Sequence, residues 1–227
     1  TARLYTDLSY LTADTQLTAD MEAVFVHLAS QSKLPRLHKL WLAPFYLHRR
    51  FIEKIDAIGD AAAQGKPGRI VAKMNALTDE ALMLALVRAG QKGVKVDLIV
   101  RGACMLPAQV PGVTDNIRVR SIIGRFLEHS RVFYFRSGAD EDLYLASADW
   151  MNRNMLRRIE IAWPVTDPAL RQRIIDECLV AGLHDGRAAW DLGPDGRYQR
   201  VDGRQSGHGS QDALMARYAA RDQARDA

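Results

Sequence analysis

The residues that could do chemistry gather around one histidine. In Gly124-Arg-Phe-Leu-Glu-His-Ser-Arg131, His129 stands just ahead of an aromatic run, with Arg131 two positions on. Residues two apart on an extended segment share a face, so an imidazole and a guanidinium can both meet one phosphoryl group. The imidazole can attack phosphorus or protonate a leaving oxygen, while the cation neutralises the equatorial oxygens. Downstream, Ser147, Asp149 and Glu160 offer a hydroxyl and carboxylates able to orient an imidazole. Each also has a plainer reading. A histidine before a strand is more often a surface or capping residue, Ser147 and Asp149 are ordinary turn residues, and Glu160 can pair with Arg157 or Arg158.

A second pattern is cationic. Arg118 and Arg120 alternate with Ile117 and Val119, so at period two the arginines share one face. Facing a channel they would bind successive phosphates; facing water they form a solvated sheet edge. Arg125, Arg131, Arg157 and Arg158 follow closely and favour the channel, because clustered cations are what a polyanion demands. Lys73 and Asn75 end an apolar run and are expected to line the same cleft, although Asn75 serves equally well to open the helix that follows.

The elements that must position these groups follow from periodicity. Residues 4–12 read as a short strand, and Asp14 opens a helix carrying Leu17, Met21, Val24, Phe25 and Leu28. A second helix is expected from Pro44 to Ala63. Residues 69–74 read as a strand, Thr78-Asp79-Glu80 as a helix start, and 95–100 as a second strand, which makes a β–α–β unit. Strands are expected over 117–123, 132–136, 143–147 and 159–165, and Asp167-Pro168 opens a helix to about Leu183. The sum is an α/β fold with a mixed β-sheet flanked by helices over roughly 69–185. Residues 202–212 are almost without apolar side chains, and 202–227 is expected to be a disordered tail, although Leu214 to Ala224 could form a short helix with nothing to say that it packs.

Composition narrows the function. The 31 Lys+Arg against 27 Asp+Glu leave a net charge of +4, too mild to announce a nucleic-acid partner. No apolar run approaches the ~20 residues of a membrane-spanning helix. Cys104 and Cys178 form no disulfide framework and no zinc spacing, which fits a reducing cytoplasm.

His129-x-Arg131 resembles the H-x-K motif of the phospholipase D superfamily, and LASADWMNR with Glu160 resembles that superfamily's small-Ser-x-Asn segment and following acid. Arg at 131 and at 136, where such enzymes place Lys and Asp, weighs against phosphodiester hydrolysis. Longer words carry a closer likeness. TARLYTDLSYLTAD, RIVAKMNALTDEALMLALVRAGQKGVKVDLIVRG, NIRVRSIIGRFLEHSRVFYF, SADWMNRNMLRRIEIAWPV and AAWDLGPDGRYQR resemble the carboxy-terminal part of bacterial polyphosphate kinase, across about residues 1–201.

That resemblance implies reversible transfer of the terminal phosphate of ATP to polyphosphate through a phosphohistidine. It implies two phospholipase D-like domains: 1–38 would end the first and link to the second, 39–201. The family's nucleophilic H-x-K word is absent here and is expected upstream, as are its magnesium-binding arginines, so no metal ligand is expected in this chain and Mg2+ is a cofactor of the longer protein only. The isolated chain is accordingly expected to be inactive. Tyr5 and Arg101 match ATP-contacting positions of the family, and His129 matches its second histidine, which binds nucleotide and assists transfer. The resemblance further implies ATP/ADP and inorganic polyphosphate as partners, no nucleic acid, a cytoplasmic homo-oligomer, and leaves peripheral membrane association open. The competing readings are a phospholipase D-like phosphodiesterase and a non-catalytic nucleotide- or polyanion-binding module.

Overall fold

A computed structural model describes residues 2–201 and 209–223. In chain order the elements are β1 (Tyr5–Thr6), α1 (Thr15–Ser30), β2 (Trp41–Ala43), α2 (Leu47–Ala63), β3 (Gly68–Met74), α3 (Glu80–Gln91), β4 (Lys95–Val100), β5 (Ile117–Ile122) and β6 (Leu127–Glu128). There follow β7 (Arg131–Ser137), β8 (Asp140–Ala146), α4 (Asn152–Leu156), β9 (Glu160–Pro164), α5 (Pro168–Ile174), α6 (Ala181–Leu183), β10 (Ala189–Leu192), β11 (Tyr198–Arg200) and α7 (Ser210–Gln223). Ile175–Val180, between α5 and α6, is π-helical.

Nine strands form one mixed sheet in the order β11-β10-β5-β4-β3-β7-β8-β9-β2. Within this sheet the parallel neighbours are β3–β4 and β4–β5, and β7 returns antiparallel beside β3. The β–α–β expectation therefore holds. Asp79 caps α3 by accepting from the Leu82 amide, and parallel β4 follows. Alternation along β3 splits the core. Ile70, Ala72 and Met74 face Phe51 and Ile55 of α2 and Leu82 and Leu86 of α3, while Val71 faces Cys178 and Leu179 of the π-helical segment. Burying such a side chain contributes about 1.5–3 kcal/mol, so both sheet faces must be covered. α1 packs through Leu17 and Val24 onto Leu40 and Leu42 at the β2 edge.

Four expectations change. The strand expected over 4–12 shrinks to Tyr5–Thr6, because its partner β6 is only two residues long. The second helix begins at Leu47 rather than Pro44, because Trp41–Ala43 first pairs with β9 as an edge strand. The sheet extends beyond 69–185 to β2 on one side and to the β10–β11 hairpin on the other. Finally, the disorder expected over 202–227 does not reach 210–223. There α7 forms, held where the Ser210 amide and hydroxyl both donate to Asp185 Oδ2, at 2.6 and 2.7 Å. Residues 202–208 and 224–227 lie outside the described part.

Candidate functional site

Strand direction decides what meets. Because β7 runs against β3, its start at Arg131 lies by the carboxyl end of β3, and Ala146 at the end of β8 lies opposite Arg131. Arg101 follows the last residue of β4 at the same end. The carboxyl ends of parallel strands are where α/β folds place ligands, because loops there can converge without breaking the ladder.

The centre of this end is Asp149. It accepts from Arg131 Nε at 3.1 Å and Nη2 at 3.0 Å, from the Asn75 amide at 2.6 Å and from Asn75 Nδ2 at 3.2 Å. Burial alone would raise the Asp149 carboxyl, but the hydrogen bonds from Arg131 and Asn75 outweigh it and hold the group below the ordinary carboxylate value. Asn75 Oδ1 in turn accepts from Arg101 Nε at 3.0 Å. The Asn75 carbonyl accepts from the Gly102 amide at 2.7 Å, and a Cβ at Gly102 would stand 2.9 Å from that oxygen, so the chain needs glycine there.

His129 sits on the other side of Arg131. Arg131 Nη1 lies 3.0 Å from Nδ1 and 3.1 Å from Nε2 of the imidazole and donates to the His129 carbonyl at 2.9 Å. Asp7 Oδ2 lies 2.8 Å from Nδ1. In the tautomer that donates from Nδ1 to Asp7, the ring lone pair is on Nε2, which Arg131 Nη1 approaches to 3.1 Å. The His129 amide donates to the Thr6 carbonyl at 2.8 Å, and the Tyr5 ring meets the imidazole edge-on with centroids 5.8 Å apart. Tyr5 reaches this place through the parallel β1–β6 pair, which sets it opposite Leu127.

Tyr5, Arg101, His129, Arg131, Asn75 and Asp149 are thus brought to one end of the sheet, the last five through a single chain of hydrogen bonds. Ser147 and Glu160 are close to it but turn to each other, with Ser147 Oγ donating to Glu160 Oε2 at 2.5 Å. They do not orient the imidazole; Asp7 does. Sequence reasoning missed Asp7: standing two residues from Tyr5 on an extended segment puts both on one face but does not say what that face meets. The Arg131 fork, expected to face phosphate, is occupied by Asp149.

Of the remaining cations, Lys73 stays near His129, lining a cavity with Thr6, Asp7 and Glu128. Lys73 points to the opposite side of β3 from Met74 and pairs with Glu128. Arg120 grips Asp191 at 2.7 and 3.0 Å and also donates to the Leu183 carbonyl, closing the end of α6. Arg118 is level with Asp97 and Val71, four residues short of Asn75, or roughly 13 Å along the strand. Arg118 and Arg120 therefore do not point into the space around His129. Arg118 is exposed, and both arginines line a separate cavity together with Arg69, Leu183, His184 and Asp191. Arg125 is exposed, its guanidinium 5.4 Å from the Phe126 ring centroid, and Arg158 is exposed after α4. Among the described residues, no three His, Cys, Asp or Glu side chains converge as a metal site. Asp149, Asp7 and Glu160 are each engaged as above, so no cation is assigned to them.

An α/β domain with guanidinium, imidazole and carboxylate clustered at the carboxyl ends of its parallel strands is the class of structure defined here. Residues 40–211 match the family model "Polyphosphate kinase C-terminal domain 2". The polyphosphate kinase of Burkholderia cenocepacia (strain HI2424) is 49% identical over 218 residues, covering 96% of this chain and 32% of that protein. That of Paraburkholderia phytofirmans is 48% identical over 216 residues, covering 95% and 31%. The crystal structure of polyphosphate kinase from Porphyromonas gingivalis superposes with a TM-score of 0.84 at 33% identity, covering 94% of this chain and 33% of that one. The chain belongs to the polyphosphate kinase family, and it spans about a third of the length of the relatives it matches. No helix among the described residues is long and apolar enough to cross a membrane.

Proposed function

We propose that this chain is the second-histidine domain of an ATP-polyphosphate phosphotransferase. The observation that carries the reading is the Asp7–His129–Arg131 arrangement. One carboxylate holds Nδ1, and one guanidinium lies against the ring 3.1 Å from Nε2, the nitrogen that moves a proton once a phosphate draws that guanidinium away. In this reading a histidine outside these residues takes the phosphoryl group. His129 Nε2 delivers or removes the proton at the bridging oxygen between the β- and γ-phosphates, and Arg131 Nη1 offsets charge on the equatorial oxygens. Arg101, whose Nε is fixed by Asn75, has both Nη atoms without a partner among the described residues and binds a nucleotide phosphate. Tyr5 lies along the nucleotide. Aspartates already taken by arginine, histidine and amides do not make a magnesium site, so Mg2+ would enter with the nucleotide on ligands outside this chain.

The protein is taken to work as a cytoplasmic homo-oligomer on ATP, ADP and inorganic polyphosphate. Assay of the full-length enzyme for ATP-dependent polymer formation, beside hydrolysis of bis(p-nitrophenyl) phosphate, tests the reading. Polymer is expected from the full-length enzyme and none from the 227-residue chain alone, because a phosphohistidine route needs its nucleophile. Diester hydrolysis without polymer formation would instead establish a phosphodiesterase.

A further inference from the structure

β6 carries His129 at its end, yet β6 is two residues long and pairs on one side only with the equally short β1. Isolated two-stranded ribbons are marginal in water, so something else must hold this one. On its other side lies Gln211, 8% exposed, at the start of α7. Its Oε1 accepts from the Phe126 amide at 2.8 Å, and its Nε2 donates to the Phe126 carbonyl at 3.0 Å and to Glu128 Oε1 at 2.8 Å. A carboxamide is the one side-chain group that carries donor and acceptor side by side as a peptide does. Gln211 therefore completes the ribbon as a one-residue strand. Glu128, immediately before His129, is then held between Gln211 and Lys73 of β3.

A second observation is independent of these bonds. A Cβ on Gly124 would stand 2.5 Å from Gln211 Oε1, so glycine at 124 makes the room the carboxamide occupies. The far part of α7 is tied elsewhere. Tyr218 donates to Glu177 at 2.5 Å, and Arg217 lies 3.6 Å from the same carboxylate.

We infer that Gln211 is a positioning residue for His129: through β6 it fixes where the imidazole stands relative to Asp7 and Arg131. The inference rests on the reading that His129 moves a proton, but its test does not require turnover. Backbone amide exchange and the imidazole 15N signals of His129 would be followed in the 227-residue chain and in three variants. In Gln211→Ala, and in Gly124→Ala, which displaces the carboxamide without removing it, the Phe126 and His129 amides should exchange at least about tenfold faster. The His129 ring signals should move toward those of a free histidine. Arg217→Ala, which loosens α7 away from β6, should leave both readouts unchanged. Should Gln211→Ala fail to fold, Gly124→Ala and Gln211→Asn carry the same comparison. Unchanged His129 exchange and ring signals in the folded variants would overturn the inference, as would an equal change in Arg217→Ala. In the full-length enzyme, Gln211→Ala should lower kcat by roughly 10–10²-fold while KM for ATP holds. Ring signals that move with no fall in kcat leave Gln211 as the positioning residue and remove the acid–base role of His129 instead.

Discussion

At Asp149 four donors from two residues meet one buried carboxylate, and both residues sit beside groups proposed to face nucleotide. Breaking one side of a buried pair costs about 3–5 kcal/mol, because the other charge stays in place without its partner. Asp149→Asn should therefore lower stability by about that amount, read from urea unfolding at neutral pH. The pH dependence has a definite sign. A carboxyl held below its ordinary value contributes stability in full above that value, about 3.9 for aspartate. The contribution is lost as pH falls through the lowered folded-state value. The gap between wild type and Asp149→Asn should thus be widest near neutrality and close on acidification; a constant gap would mean the carboxylate charge is not what Arg131 and Asn75 hold. At this scale the sequence was legible where spacing alone decides, as with His129 and Arg131 on one face. It was not legible where a side chain from a distant segment completes the group. Nothing local marks Asp7, 122 positions from His129, as its partner.

Among the elements, β3–α3–β4 could be read almost to the residue, because cap, apolar period and strand composition agree. Asp79 is the clearest case. It caps α3 at 3.0 Å from the Leu82 amide and also accepts from His48 Nε2 at 2.8 Å. Asp79→Ala should cost about 1–2 kcal/mol, a fall in Tm of roughly 2–8 °C for a domain of this size. Asp79→Asn, which can still accept from Leu82, should lose less. Equal losses in thermal denaturation would show that the cap bond is not the source. Elements whose reason lies elsewhere in the fold were illegible. β2 is strand only because β9 offers an edge, and α7 is polar enough to read as tail. Its docking depends on Asp185 and Phe126, which no window around residue 210 contains.

Over the whole molecule, the two-sided sheet is what turns scattered words into a site. Parallel β3 and β4 end together, antiparallel β7 and β8 bring Arg131 and the Ser147–Asp149 turn back to that end, and the β1–β6 ribbon adds Tyr5, Asp7 and His129. The α/β class and the shared end of Arg101 and His129 followed from the pattern of elements; the arrival of Tyr5 and Asp7 through the β1–β6 ribbon did not. The surroundings of Arg118 and Arg120 did not follow, because alternation tells which residues share a face but not what else that face meets; here both line a cavity beside Leu183 and Asp191. The most direct test of the account is the rate of phosphoryl transfer between ATP and polyphosphate in full-length His129→Gln. An amide can still hydrogen-bond a phosphate oxygen but cannot carry a proton at neutral pH, so turnover should fall by about 10²–10⁴ with the KM for ATP little changed and the protein folded. Near-normal turnover with only a raised KM for ATP would contradict the account and leave His129 as a nucleotide contact.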